Sequence, residues 1–244
     1  MKFVPVIDVL NGVAVHAVKG NRAEYQPLKS VLTSSVVPIE IASVFKLQGF
    51  SELYLADLDA ILRNEFNFGL YTDLARLGFS FMVDVGVVDL VVVKKLRDCG
   101  VSKIVIGTET LQSVSFVKKV VQQVGAECVV VSIDVKDGKV LTRFGFDGPS
   151  DVFELLLAFC AVGVSEFILL DLSRVGSGMG VNVELLRKVL AVLSDGRVYV
   201  GGGVKSVDDL LVLEGLGVLG VLFATALHSG EIGVKDLVEA GLLF

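Results

Sequence analysis

Two aspartates, Asp8 and Asp134, each close an apolar run, and each is followed four residues later by a glycine, Gly12 and Gly138. Paired carboxyl groups divide acid/base work. One ionised member accepts a proton while the other, held neutral by its surroundings, donates one, which suits sugar ring opening and enolisation. The competing reading has each aspartate capping its own turn or pairing with a nearby lysine. A second kind of chemistry is written in glycine. Gly201-Gly202-Gly203 and, further on, Thr225 follow apolar runs near the end of the chain. Glycines let backbone N–H groups approach phosphate oxygens, and a threonine hydroxyl adds a donor. A weaker version in the first half comprises Gly86, Gly107 and Thr108, where Asp84 and Val85 occupy places that are glycine in the second half. The plain alternative for both sets is a tight turn that needs positive φ.

These residues recur as matched pairs. Glu52–Asp57 resembles Glu166–Asp171, Val83–Val87 resembles Val200–Val204, and Ile106–Thr108 resembles Phe223–Thr225. The offset between partners stays at about 114–126 residues, as a duplicated half would leave after loop insertions and deletions. Half-barrels of roughly 1–125 and 126–244 follow as an expectation.

Short apolar runs alternate with stretches of helical spacing. Strands are expected at Phe3–Val9, Glu52–Asp57, Ser80–Val85, Lys103–Gly107, Cys128–Asp134, Glu166–Asp171, Arg197–Gly201 and Gly220–Ala224. Helices are expected at Val36–Leu47, Phe68–Leu77, Asp89–Cys99, Ser113–Val124, Ser150–Val162, Val183–Leu193, Ser206–Leu213 and Val234–Leu243. Ser206 and either Ser113 or Ser115 offer N-caps, and Gly49, Gly78, Gly100, Gly125 and Gly163 stand where helices end. Strand then helix, repeated eight times, calls for a parallel sheet with both faces covered, and two four-unit halves can close it into one single-domain (β/α)8 barrel. Asp8 and Asp134 would then sit at the C-terminal ends of strands one and five, where barrel active sites lie, and the glycine triplet would follow strand seven.

Other residues keep two readings. Lys19 and Arg22 could meet phosphate or sugar, or be solvated loop charges. Arg174, Ser173 and Ser177 lie in a glycine-rich loop after strand six that is either a cover over the site or a flexible connection. Lys136 could pair with Asp134 or a substrate, or lie on the surface. Asp57 and Asp171 are expected to hydrogen-bond neighbouring loops. His16 and His228 lack partners at ligand spacing, so they are read as structural and no metal site assembles.

Composition narrows the partners. The 244 residues are 53% apolar, and 22 basic against 28 acidic residues give a net charge of −6. No basic stripe favours nucleic acid, whereas a small phosphorylated substrate remains compatible. Gly215–Gly230 is uncharged but broken by glycines and too short to span a membrane, and the N-terminus has no secretory pattern. Cys99, Cys128 and Cys160 have no metal-like spacing, which fits reduced thiols filling the core of a cytoplasmic protein.

The ordered set Pro5–Val9, Val18–Gly20, Leu55–Ala60, Ile104–Thr108, Ser132–Asp134, Asp171–Arg174, Gly201–Val204 and Gly220–Leu222 resembles the histidine-biosynthesis isomerase and cyclase family across nearly the whole chain, the isomerase more closely. The resemblance implies a duplicated (β/α)8 barrel with two phosphate sites and no cofactor. It also implies that Asp8 and Asp134 form the general base and acid of an Amadori-type aldose–ketose isomerisation. The sequence departs from the family pattern at Leu170 (threonine in the family), Val175 (aspartate), Val88 (arginine) and Ala224-Thr225 (glycine with a basic residue). Those departures point to a diverged paralogue. Another reaction on a phosphorylated metabolite, or a non-catalytic phosphate-binding barrel, are the alternatives.

Overall fold

The computed structural model describes residues 1–18, 20–175, 179–193 and 197–242. Eight parallel strands close into a barrel: β1 Lys2–Leu10, β2 Glu52–Asp57, β3 Ser80–Asp84, β4 Lys103–Gly107, β5 Val129–Lys136, β6 Phe167–Asp171, β7 Val198–Gly201 and β8 Gly220–Phe223. Each pairs with the next, and β8 pairs with β1 through Lys2↔Gly220 to Pro5↔Phe223, which completes the ring.

The continuous apolar runs have a direct cause. Alternate side chains of a strand point to opposite faces. Val4, Tyr54, Met82, Val105, Val130, Ile168, Tyr199 and Leu222 point inward and form one cluster. Their neighbours Phe3, Leu53, Leu55, Phe81, Val83, Ile104, Val129 and Val131 point outward and pack under the helices. Both faces are dry, so neither offers a place for a polar residue until the strand ends are reached. Each such Val, Leu or Phe contributes roughly 1.5–3 kcal/mol relative to exposure.

The surrounding helices are α1 Pro38–Leu47, α2 Leu58–Arg63, α3 Phe68–Arg76, α4 Leu90–Asp98, α5 Val114–Val124, α6 Val152–Ala161, α7 Val183–Val192, α8 Val207–Gly215, α9 Thr225–Ser229 and α10 Val234–Glu239. Ser113 accepts from the Phe116 N–H and Ser206 from the Asp209 N–H, which are the caps read from the sequence. Two short helices, α2 and α9, were not expected; at five or six residues they are too brief for a 3.6-residue period to register.

Two hairpins were also missed. After β1 the chain reverses at Asn11 (φ 53°) and Gly12 (φ 75°) and returns as Val13–His16, antiparallel to β1. After β5 it reverses at Asp137 (φ 51°) and Gly138 (φ 77°) and returns as Lys139–Val140. Asn-Gly and Asp-Gly favour positive φ at both central residues of a two-residue turn, and that local signal could have located both hairpins. The first is held down by Asp59, whose carboxylate accepts from the N–H groups of Asn11 and Gly12 at 2.7 and 2.8 Å.

The N-terminal rim of the barrel carries ion pairs. Lys2 pairs with Glu52 at 2.7 Å, and Glu166 pairs with both Lys103 and Arg197. Among the cysteines, Cys128 is buried, Cys99 is half-buried and Cys160 is exposed. The core-filler reading therefore fails for Cys160, which lies on α6 beside exposed Leu157 rather than on its packed face.

Candidate active site

At the C-terminal ends of the strands a cavity of about 460 Å³ opens into the barrel. Asp8 and Asp134 both line it. They stand on β1 and β5, which are opposite in a ring of eight, and each continues the inward-facing register of its strand, Val4-Val6-Asp8 and Val130-Ser132-Asp134. The two carboxyl groups are held differently. Asp134 is buried, its Oδ1 accepts from the Ser132 hydroxyl at 2.8 Å, and its N–H donates to the Thr108 hydroxyl at 3.3 Å. Asp8 has no hydrogen-bond partner for its carboxyl among the described residues.

A third carboxyl shares the cavity. Asp84, at the end of β3, is paired in register with Ala56, which is itself opposite Asp8. Its Oδ1 accepts from the Gly86 N–H at 2.9 Å. A methyl group placed on Gly107 would lie 3.2 Å from Asp84 Oδ2 and 3.9 Å from Asp134 Oδ2, so those two oxygens are no more than 7.1 Å apart. Burial pushes the carboxyl groups of Asp8, Asp84 and Asp134 each up to about 7. For Asp134 the Glu109 carboxylate adds to the rise while the Ser132 hydrogen bond opposes it; for Asp84 the Gly86 N–H opposes it and Asp134 adds to it. Groups of this kind exchange protons near neutral pH, which is the condition for general acid/base work.

Tyr54 on β2 sits two residues before Ala56, one layer deeper in the barrel, and lines the same cavity. Burial, then the charges of Asp84, Asp134, Asp8 and Glu109, hold its hydroxyl well above the usual phenol range. The loop after β1 covers the mouth. Its segment Gln26–Pro27 pairs with Val13–His16, and Arg22 reaches across the opening to form an ion pair with Glu109 in the loop after β4. Tyr25, Arg22, Glu109 and Lys136 complete this wall.

The opposite wall carries Gly201, Gly202, Gly203, Ala224 and Thr225. Gly202 and Gly203 adopt φ of 89° and 91°. A β-carbon would lie 2.8 Å from the Asp171 carbonyl oxygen at Gly202 and 2.3 Å from that of Gly180 at Gly203, so only glycine fits. Among the described residues the N–H groups of Gly202, Gly203 and Thr225 donate to no protein acceptor.

The other expected site residues are placed differently. Gly86, Gly107 and Thr108 are not on the cavity wall, and Thr108 is completely buried. The Thr108 N–H donates to the Ser132 carbonyl at 3.0 Å, and its hydroxyl is engaged by Asp134. Arg174 is not on the wall either: it pairs with Asp171 at 3.4 Å and donates to the carbonyl of Gly180 at 3.0 Å. Lys19 and Ser177 lie outside the described residues. Asp57 caps α2 through the N–H groups of Asp59 and Ala60 and accepts from the Tyr71 hydroxyl. Asp171 holds Ser173 and Asn182, so both matched aspartates do structural work. His228 is buried, with Nδ1 2.9 Å from the Ser30 hydroxyl, and burial brings its pKa down to about 4. His16 lines the cavity, and no group of three or more metal-ligating side chains forms among the described residues. Tyr54, Asp84, Glu109 and Ser132 were missed as site residues. The inward parity shared with Asp8 and Asp134 could have found Ser132, and Asp84 had been taken only as a weakness in an anion site.

No helix among the described residues is long and apolar enough to cross a membrane. Residues 2–233 match the family model described as histidine biosynthesis protein. The uncharacterized protein MJ0703 of Methanocaldococcus jannaschii is 37% identical, with 98% of each chain covered. Relatives from Streptococcus sanguinis and Acidothermus cellulolyticus, both named as phosphoribosyl imidazole-4-carboxamide isomerases, are each 30% identical, again over 98% of both chains. A closed eight-stranded barrel matched from its first strand to beyond its last leaves no unassigned portion of the ring, and the chain belongs to the histidine-biosynthesis protein family.

Proposed function

We propose that the chain is an aldose–ketose isomerase of a phosphosugar, working by general acid/base catalysis with Asp8 and Asp134 and holding phosphate on Gly202, Gly203 and Thr225. The observation that carries this reading is the presence of two proton-exchanging carboxyl groups on opposite strands of one cavity whose third side offers uncommitted N–H donors. Relatives named as isomerases of a phosphoribosyl compound support it.

The chemistry follows from the groups present. On an aminoaldose phosphate, the protonated carboxyl gives its proton to the ring oxygen as the C1–O bond breaks, and the lone pair of the C1 nitrogen forms an iminium. The ionised carboxyl takes the C2 proton, and that electron pair closes the C1–C2 double bond and neutralises nitrogen. Return of a proton to C1 and loss of the enol proton leave the ketose. Each proton transfer by a positioned carboxyl is worth roughly 10²–10⁴ in rate. Phosphate bound at the far wall fixes C1 and C2 between the two aspartates.

The test is turnover of the phosphoribosyl formimino substrate and of a panel of aldose phosphates. Asp8→Asn and Asp134→Asn each abolish conversion while circular dichroism stays native and the melting temperature does not fall. Full activity in both variants would remove the proposal. The substrate need not be that of the relatives, because Leu170 lines the cavity where the family carries threonine and Asp84 adds a carboxylate to the wall.

A further inference from the structure

Resting on the phosphosugar reading, we infer that the ligand carries a single phosphate and presents an amino group to the opposite wall, where Asp84 selects it. The two halves of the barrel treat an anion differently. In the second half Gly202 and Gly203 line the cavity, and their N–H groups have no protein acceptor among the described residues. In the first half two of the three equivalent N–H donors, those of Gly86 and Thr108, are already spent. The Gly86 N–H serves Asp84 Oδ1, and the Thr108 N–H serves the Ser132 carbonyl. Asp84 Oδ2 also lies over Gly107, 3.2 Å from where a methyl group there would be. Above about pH 7, where Asp84 is ionised, a second phosphate at this place would meet a protein carboxylate, and like charges so close repel strongly away from water.

The same wall is built for hydrogen-bond donors. Tyr54 is 8% exposed and lines the cavity, and its hydroxyl has no hydrogen-bond partner among the described residues. Its hydroxyl lies within the combined field of Asp84, Asp134, Asp8 and Glu109. Of the cations on this side, Arg22 is committed to Glu109, and Lys136 is exposed at the rim. An amino group brings N–H donors, and Asp84, Asp134 and the Tyr54 hydroxyl offer acceptors at one end of one cavity. Asp84 and Asp134 oxygens no more than 7.1 Å apart can both approach one nitrogen set between them. The ligand class is therefore an aminosugar monophosphate, with nitrogen beside the carbons that Asp8 and Asp134 address.

Isothermal titration calorimetry of the full chain with glucosamine 6-phosphate, glucose 6-phosphate and fructose 1,6-bisphosphate tests this. Glucosamine 6-phosphate is expected to bind at least tenfold more tightly than glucose 6-phosphate, and the bisphosphate more weakly than either. In Asp84→Asn the amino preference shrinks by about tenfold while inorganic phosphate still competes as before. A bisphosphate that binds as tightly as the monophosphates would overturn the single-phosphate inference and leave the phosphosugar reading standing. Equal binding of the amino and hydroxy sugars, or an amino preference that survives Asp84→Asn, would overturn the role of Asp84. Absence of binding by all three sugars and by inorganic phosphate would overturn both this inference and the reading beneath it.

Discussion

The Ser132 hydroxyl donates to Asp134 Oδ1 at 2.8 Å, two residues apart on one strand and on the same inward face. A hydrogen bond of this kind favours the ionised carboxyl and restrains a pKa that burial raises to about 7. Ser132→Ala removes the restraint. The pKa of Asp134 then rises, and the limb of the pH–rate profile that reports it moves to higher pH by about one unit. A profile of kcat against pH for both proteins checks this. An unmoved limb would mean that Asp134 does not titrate in the reaction.

Asp84 links stability to pH. Its carboxyl is neutral in the folded chain until pH approaches about 7, whereas in the unfolded chain it ionises near 3.8. The folded state thus holds a proton that the unfolded state has lost. The resulting stabilisation is complete below pH 4 and disappears as pH rises through 7. Asp84→Asn keeps an oxygen for the Gly86 N–H and carries no charge at any pH. Its melting temperature should exceed the parent's by several degrees at pH 8, and the difference should shrink toward pH 5. Thermal melts across that range read the trend directly, and a constant difference would contradict it.

Arg22 and Glu109 tie the loop after β1 to the loop after β4 across the cavity mouth. Both side chains are about one-third exposed or slightly less, so the pair contributes less than about 1 kcal/mol to folding. Its weight falls on the closed loop. Arg22→Ala should therefore change the melting temperature little and raise KM roughly tenfold, with kcat affected less. A fall in melting temperature without a change in KM would show that the pair serves the fold alone.

Gly203→Ala and Thr225→Val separate shape from donors on the phosphate wall. A β-carbon at Gly203 meets the Gly180 carbonyl at 2.3 Å and must adopt φ 91°. Alanine there should cost about 1–3 kcal/mol of stability and weaken phosphate binding as well. Thr225→Val removes a hydroxyl at nearly constant volume, so binding of inorganic phosphate should weaken several-fold with no loss in melting temperature. Phosphorus NMR titration alongside thermal melts distinguishes the two.

The sequence by itself determined the eight strand–helix units, because a parallel strand dry on both faces must be an unbroken apolar run and its covering helix must show a 3.6-residue stripe. It also determined where polarity resumes, at Asp8, Asp134 and the glycine triplet, since a strand can leave its dry layers only at its end. The caps at Ser113 and Ser206 were equally local. Tertiary structure decided which of these groups meet. The approach of Asp84 and Asp134 around Gly107 depends on the register of β3, β4 and β5. The Arg22–Glu109 contact joins residues 87 positions apart. Register and loop docking are set by sums of long-range contacts, each small, which no local window contains, while the inward or outward sense of a side chain is set by the two-residue repeat of its own strand.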